Sequence, residues 1–152
     1  MSGVAEFSSL ITPIFLTSTK NAAGIHAVRF FIRGKPWVVA IDDEMLFYNG
    51  VDSAGAKMLY FTSADTTNTA MWAPLIEKAW AKIKGNYITV DGGFLVEGVR
   101  ALTGVPAFSY DANSIGSSAS GALTLAQAYA LLKAGEDANY IMAAGTDGGG
   151  ND

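Results

Sequence analysis

The sequence predicts an α+β fold, and three observations carry that expectation. Ile25–Ile32 and Trp37–Ile41 are runs of β-branched and aromatic residues, separated by the turn-forming Arg33-Gly34-Lys35-Pro36. Met71, Trp72, Leu75, Ile76, Ala79, Trp80 and Ile83 recur at helical spacing. Further strand-like and helix-like segments follow separately, with no internal repeat, so a hairpin-containing sheet packed on helices is expected.

Residues 1–22 are rich in Ser and Thr, with scattered large apolar side chains at Phe7, Leu10, Ile11, Ile14, Phe15 and Leu16. They read as an extended arm or short helix that must lie on something apolar. Asn21–Gly24 punctuates the chain before the hairpin. Apolar side chains on both faces of Trp37–Ile41 predict a strand interior to a sheet. Asp42-Asp43-Glu44 ends that strand, Phe47-Tyr48-Asn49-Gly50 begins a loop running to about Lys57, and Met58–Phe61 reads as a short strand.

In the main helix, Glu77, Lys78, Lys82 and Lys84 are expected outward. Pro74 falls in the first turn, where its missing N–H costs little, and Gly85 sits at the stop. After Asn86–Val90, Asp91 is a plausible N-cap for a helical stretch Phe94–Leu102, which Gly104 closes. Val105–Tyr110 reads as a strand and Asp111–Gly121 as a flexible connector. Thr124 then caps a helix carrying Leu125, Tyr129, Leu131 and Leu132, stopped near Gly135. Asn139–Ala144 reads as a last strand and Gly145–Asp152 as a Gly/Asp tail.

The chain of 152 residues is half apolar and only 16% charged, which suits one domain or two small lobes and excludes intrinsic disorder. Ten basic against fourteen acidic residues give a net charge of −4, so nucleic acid is not an expected partner. There is no cysteine and one histidine. Disulfides, thiolate metal sites and cysteine nucleophiles are thereby absent from this chain, and a self-sufficient hydrolase is not expected. No segment approaches the roughly 18 uninterrupted apolar residues of a membrane helix. Pro13 interrupts the apolar run Leu10–Leu16, and Glu6 stands where a signal peptide would carry basic residues, so the expected setting is intracellular, the compartment itself open.

Each candidate site has a plainer structural reading. His26 projects with Val28, Phe30 and Ile32, where a lone imidazole is a hydrogen-bonded structural residue more often than a base. No Gly-x-Ser-x-Gly elbow accompanies it. Asp42-Asp43-Glu44 is a tempting carboxylate cluster, yet neighbouring strand residues point to opposite faces, and turn acids are the commoner case. Asp65, Asp111, Glu136 and Asp137 are isolated. Asp91-Gly92-Gly93 precedes a helix but lacks the further glycines or the lysine of a nucleotide loop, and Gly145–Gly150 has no helix after it.

Several segments, taken in order, resemble the protease core of calpains. They are Ala23-Gly24-Ile25, Val28-Arg29-Phe30-Phe31, Gly34-Lys35, Trp37-Val38-Val39 and Ile41-Asp42-Asp43, then Tyr48-Asn49-Gly50, Leu59-Tyr60-Phe61 and Ser63-Ala64. Trp72, the run Leu75–Lys82, Gly85, Tyr87, Gly92-Gly93, Glu97-Gly98 and Leu102-Thr103-Gly104 follow at the family's spacing. The resemblance implies a partial papain-like core: residues 1–22 an arm, 23–110 a first-lobe segment, 111–122 a connector and 123–152 the start of a second lobe.

Calpain-type proteases are papain-like cysteine endopeptidases in which histidine, oriented by asparagine, activates a thiolate. The resemblance places the cysteine upstream of the matched region and the histidine and asparagine downstream, so this chain is expected to hold none of the three. His26 lies in the hairpin and inherits no role. The family's first-lobe calcium site uses a glutamate two residues before the tryptophan matched by Trp72, where this chain has Ala70. The preceding loop is also longer here. No catalytic, cofactor-binding or metal-binding residue is therefore carried over, and no cofactor is expected. The expected partner is a protein, or a complementing chain, that covers apolar surface left open by an incomplete core.

Overall fold

A computed structural model describes residues 5, 8–17, 19, 21–51, 53, 55, 57–59, 70–90, 92–108 and 123–140. Strand β1 (His26–Ile32) and strand β2 (Lys35–Ile41) form an antiparallel ribbon in register from His26↔Ile41 to Ile32↔Lys35. Arg33 and Gly34 make the connecting turn with φ of 52° and 76°, the positive pair that matches the twist of a two-residue hairpin. The N-terminal arm forms two 3-10 turns, Ser8–Leu10 and Thr12–Ile14, and then runs beside β1. Phe15 bridges Val28, the Leu16 N–H donates to the Ala27 carbonyl at 2.8 Å, and the Ala27 N–H donates to Thr17 Oγ1 at 3.0 Å. Ile14 is thereby buried, so the arm does lie on the apolar surface its composition demands.

The core is built by strand alternation against helical spacing. Val28 and Phe30 of β1, with Val39 and Ile41 of β2, share one face of the ribbon and are buried. They meet Leu75, Ile76 and Ala79 of helix α1 (Trp72–Lys84), together with Ile14 and with Ala101 and Leu102 of helix α2 (Leu95–Thr103). Burying a side chain the size of Phe30 contributes about 1.5–3 kcal/mol. Helix α2 ends against β1: Gly104 takes the left-handed conformation at φ 74°, and its N–H donates to the Arg100 carbonyl at 2.9 Å. A β-carbon at Gly104 would fall 2.8 Å from the Phe31 ring, so this close approach requires glycine.

Several local expectations are corrected. Among the described residues strand β2 pairs with β1 alone, so they do not give it the second neighbour expected of a strand interior to a sheet. Its alternation is real only where α1 covers it, at Val39 and Ile41, whereas Trp37 and Val38 are 59% and 52% exposed. Phe47-Tyr48-Asn49-Gly50 is not the start of a loop. It belongs to strand β3 (Phe47–Val51), which pairs irregularly with β4 (Lys57–Leu59) in a second small ribbon. Met58 and Leu59 lie in β4 as expected, while Tyr60 and Phe61 lie outside the described residues.

Helix α2 begins one residue later than the sequence suggests. Phe94 occupies the N-cap without a side-chain bond, and Asp91 lies outside the described residues. Residues 105–108 are not in a strand, and 109 and 110 are not described. Thr124 caps helix α3 (Leu125–Asp137) in the expected way, with a reciprocal box: the Gln127 N–H donates to Thr124 Oγ1 at 3.2 Å, and the Thr124 N–H to Gln127 Oε1 at 2.9 Å. Gly135 does not stop this helix. The chain turns at Asn139 (φ 55°), and the Tyr140 N–H donates to the Gly135 carbonyl at 2.9 Å, so these two residues close a helix instead of opening a strand. Residues 141–144, the connector 111–121 and the tail 145–152 lie outside the described residues.

Candidate functional site

The residues with chemical potential collect around the open end of the β1–β2 ribbon. Asn21 builds the corner that enters β1: its Oδ1 accepts from the N–H groups of Ala23 and Ile25, each at 3.0 Å. The Asp43 carboxylate sits directly over Gly24, leaving no room there for a side chain. Asp42 Oδ1 accepts from the Glu44 N–H at 3.0 Å, an Asx-type turn that ends β2. Lys78 of α1 reaches this turn and donates to the Asp42 carboxylate, the Asp42 carbonyl and the Glu44 carbonyl. The Lys78 hydrogen bond, joined by the Glu44 N–H, holds the Asp42 carboxyl below the usual carboxylate range.

One turn further along α1, Lys82 Nζ donates to the Ala40 carbonyl at 2.8 Å. Lys84 lies 4.9 Å from the Trp80 ring centroid and 2.6 Å from Glu97 Oε1, tying α1 to α2. The helical spacing alone places these lysines outward. The structure turns Lys78 and Lys82, neighbours at i,i+4 on one helix face, onto the end of β2, a role that nothing in the sequence sets apart from a solvated lysine. Burial pushes the Tyr87 phenol up, with the Glu77 charge adding to it.

The acidic cluster is thus a strand-terminating turn tied to a lysine, and among the described residues no group of three or more histidine, aspartate or glutamate side chains could hold a metal. His26 lies on the core face of β1 opposite Ile41 and is half-buried. No described residue hydrogen-bonds its ring, so the expected bond is not found among them. Glu136 and Asp137 end α3, where Asp137 pairs with Lys133 at 2.9 Å. Asp65 and Asp111 lie outside the described residues. Ala70, which the sequence resemblance sets against a calcium-binding glutamate, precedes the N-cap Met71 of α1 and carries only a methyl side chain.

The other distinctive feature is exposed apolar surface. On β2 it comprises Trp37 and Val38; on α3, Leu125, Tyr129 and Leu132 follow one helical stripe at 74%, 69% and 57% exposure. No helix among the described residues is long and apolar enough to cross a membrane.

Comparison with known proteins decides the family. The model of the calpain family cysteine proteases matches residues 1–150. The chain belongs to the calpain family. Calpain clp-4 of Caenorhabditis elegans is 39% identical over 95 residues, which are 62% of this chain and 12% of that protein. Calpain-A of Drosophila melanogaster is 36% identical over 102 residues, 66% of this chain and 11% of the relative. The calpain-type cysteine protease ADL1 of Oryza sativa subsp. japonica is 32% identical over 106 residues, 68% of the chain and 5% of the relative. This calpain-family chain therefore spans about an eighth or less of the length of these relatives. The ribbon, α1 and α2 are a fragment of a calpain protease domain, and they carry no sulfur nucleophile, because the sequence has no cysteine.

Proposed function

We propose that this chain is a non-catalytic calpain-like module, a structural or protein-interaction subunit whose value lies in its surfaces. One observation carries the reading: a calpain-type core without any thiol also exposes large apolar side chains on β2 and α3. Such patches mark partner sites in soluble proteins. In this reading residues 1–22 form an arm, 23–110 a first-lobe segment and 123–152 a second-lobe beginning, and the chain works without a cofactor. The test is casein cleavage by the isolated chain, with and without calcium. No turnover is expected; turnover that vanishes when a residue of this chain is substituted overturns the reading.

A second reading has its own support in the names of the relatives, which include calpain-type cysteine proteases. Here the chain is one piece of an active endopeptidase, and the thiol, imidazole and amide come from other chains or from sequence outside this segment. Mixing the chain with a complementing fragment that bears those three groups separates the two readings. Proteolysis that requires both polypeptides favours the second.

A further inference from the structure

We propose that the outer edge of β2 takes up a short extended peptide segment with acidic residues at both ends, by strand addition. The two-residue turn makes Ile32 and Lys35 exchange both backbone bonds, so Trp37, Val39 and Ile41 also bond toward β1. Pro36, Val38 and Ala40 accordingly direct their backbone groups away from β1. Strand β1 supports this parity: Ala27, paired with Ala40, spends its N–H and carbonyl outward on Thr17 and Leu16. The outer edge of β1 is therefore partly occupied. On β2 only the Ala40 carbonyl is engaged among the described residues, by Lys82. The N–H and carbonyl of Val38 have no partner there.

Charge selects the occupant. A shallow groove runs beside this edge, lined by Trp37, Val38, Val39, Ala40, Lys82 and Ile83. Lys82 lines the groove and Lys35 opens the same strand two residues before Trp37, and among the described residues neither is in an ion pair. An extended chain covers the five steps between Lys35 and Ala40 in about 17 Å; the end residues of a five-residue segment stand four steps, about 14 Å, apart, and the long lysine side chains span the remainder to meet both carboxylates. A second copy of β2 fits badly: antiparallel pairing centred on Val38 sets Lys35 of each copy beside Lys82 of the other, and like charges oppose it. Pro36 has no N–H to offer and Lys82 already holds the last carbonyl. The window is centred on Val38 and suits a short segment, not a continuing sheet. Main-chain bonds would supply adhesion, with the apolar groove and the two lysines supplying selectivity.

This inference deepens the interaction reading by naming one of its surfaces, and it rests on that reading. The experiment titrates the full chain with acetyl-Glu-Val-Thr-Val-Glu-amide and, as a control, with the same peptide bearing Lys in place of Glu. Amide shifts and solvent exchange are followed by NMR. The Glu peptide is expected to bind, to shift Val38 and Ala40, and to slow exchange at their amides. The Lys35→Glu/Lys82→Glu double variant should lose about tenfold in affinity for it and prefer the Lys peptide. Its amide spectrum away from β2 reports whether the fold is kept, and Lys82→Gln supplies a milder second variant. Shifts confined to other surfaces, or affinity indifferent to charge reversal, overturn the proposal. So does a Val38 amide already protected in the free protein. A chain that self-associates in sedimentation yet binds no peptide refutes this surface and leaves the interaction reading standing.

Discussion

Phe30 and Trp80 meet ring to ring across the boundary between β1 and α1, with centroids 5.4 Å apart and planes inclined at 42°. This tilted contact joins the most deeply buried part of the ribbon to the helix that covers it. Phe30→Ala should lower the unfolding free energy by about 3–5 kcal/mol, the usual cost of emptying an aromatic core position. Urea denaturation followed by tryptophan fluorescence measures it. A loss well below about 1 kcal/mol would show that α1 is not anchored here.

Lys78 and Asp42 set an acid-side limit on stability. The Asp42 carboxyl is held low by the Lys78 hydrogen bond, so its folded-state value lies below its unfolded value. The stabilisation is present above the unfolded carboxylate value and disappears as pH falls through the depressed folded one. Wild type and Asp42→Asn should therefore differ near neutrality and converge under strongly acidic conditions. A stability gap that stays constant down to about pH 2 contradicts this.

At Gly104, alanine meets two obstacles: φ is 74°, and the new β-carbon lies 2.8 Å from Phe31. The left-handed backbone and the overpacking together should cost about 2 kcal/mol or more. Thermal melting of Gly104→Ala tests the magnitude, and a silent substitution would mean that α2 is free to shift on β1.

Thr124→Ala removes one half of the box that starts α3. The expected cost is about 1 kcal/mol. Amide exchange at Gln127 and Ala128 should quicken about fivefold, with little change in the ribbon. Equal acceleration in β1 would instead mean that α3 and the ribbon open together.

Much of the architecture was legible because local chemistry and packing agree. The Arg33-Gly34 pair, flanked by apolar runs, specifies the hairpin, and Thr124 with Gln127 specifies the start of α3. Elsewhere one signal stood for two situations. Apolar residues on both faces of β2 suggested neighbours on both sides, yet Trp37 and Val38 face solvent. Tyr48-Asn49-Gly50 has turn composition, but pairing with β4 draws it into an exposed strand. At Gly135, helix continuation prevailed over a residue that more often ends helices. The roles of Lys78 and Lys82 were hidden for another reason. A lysine at an outward helical position is indistinguishable in sequence from one that folds back onto strand carbonyls.

The tight link between β1 and β2 also bears on the order of assembly. Closing a two-residue loop restricts very little chain, whereas bringing α1 onto the ribbon must close about thirty residues. The ribbon is expected to nucleate early, with the helix docking afterwards onto a template already twisted to receive it. Changes at Arg33 or Gly34 should then slow refolding, while changes confined to the far face of α1 should chiefly hasten unfolding.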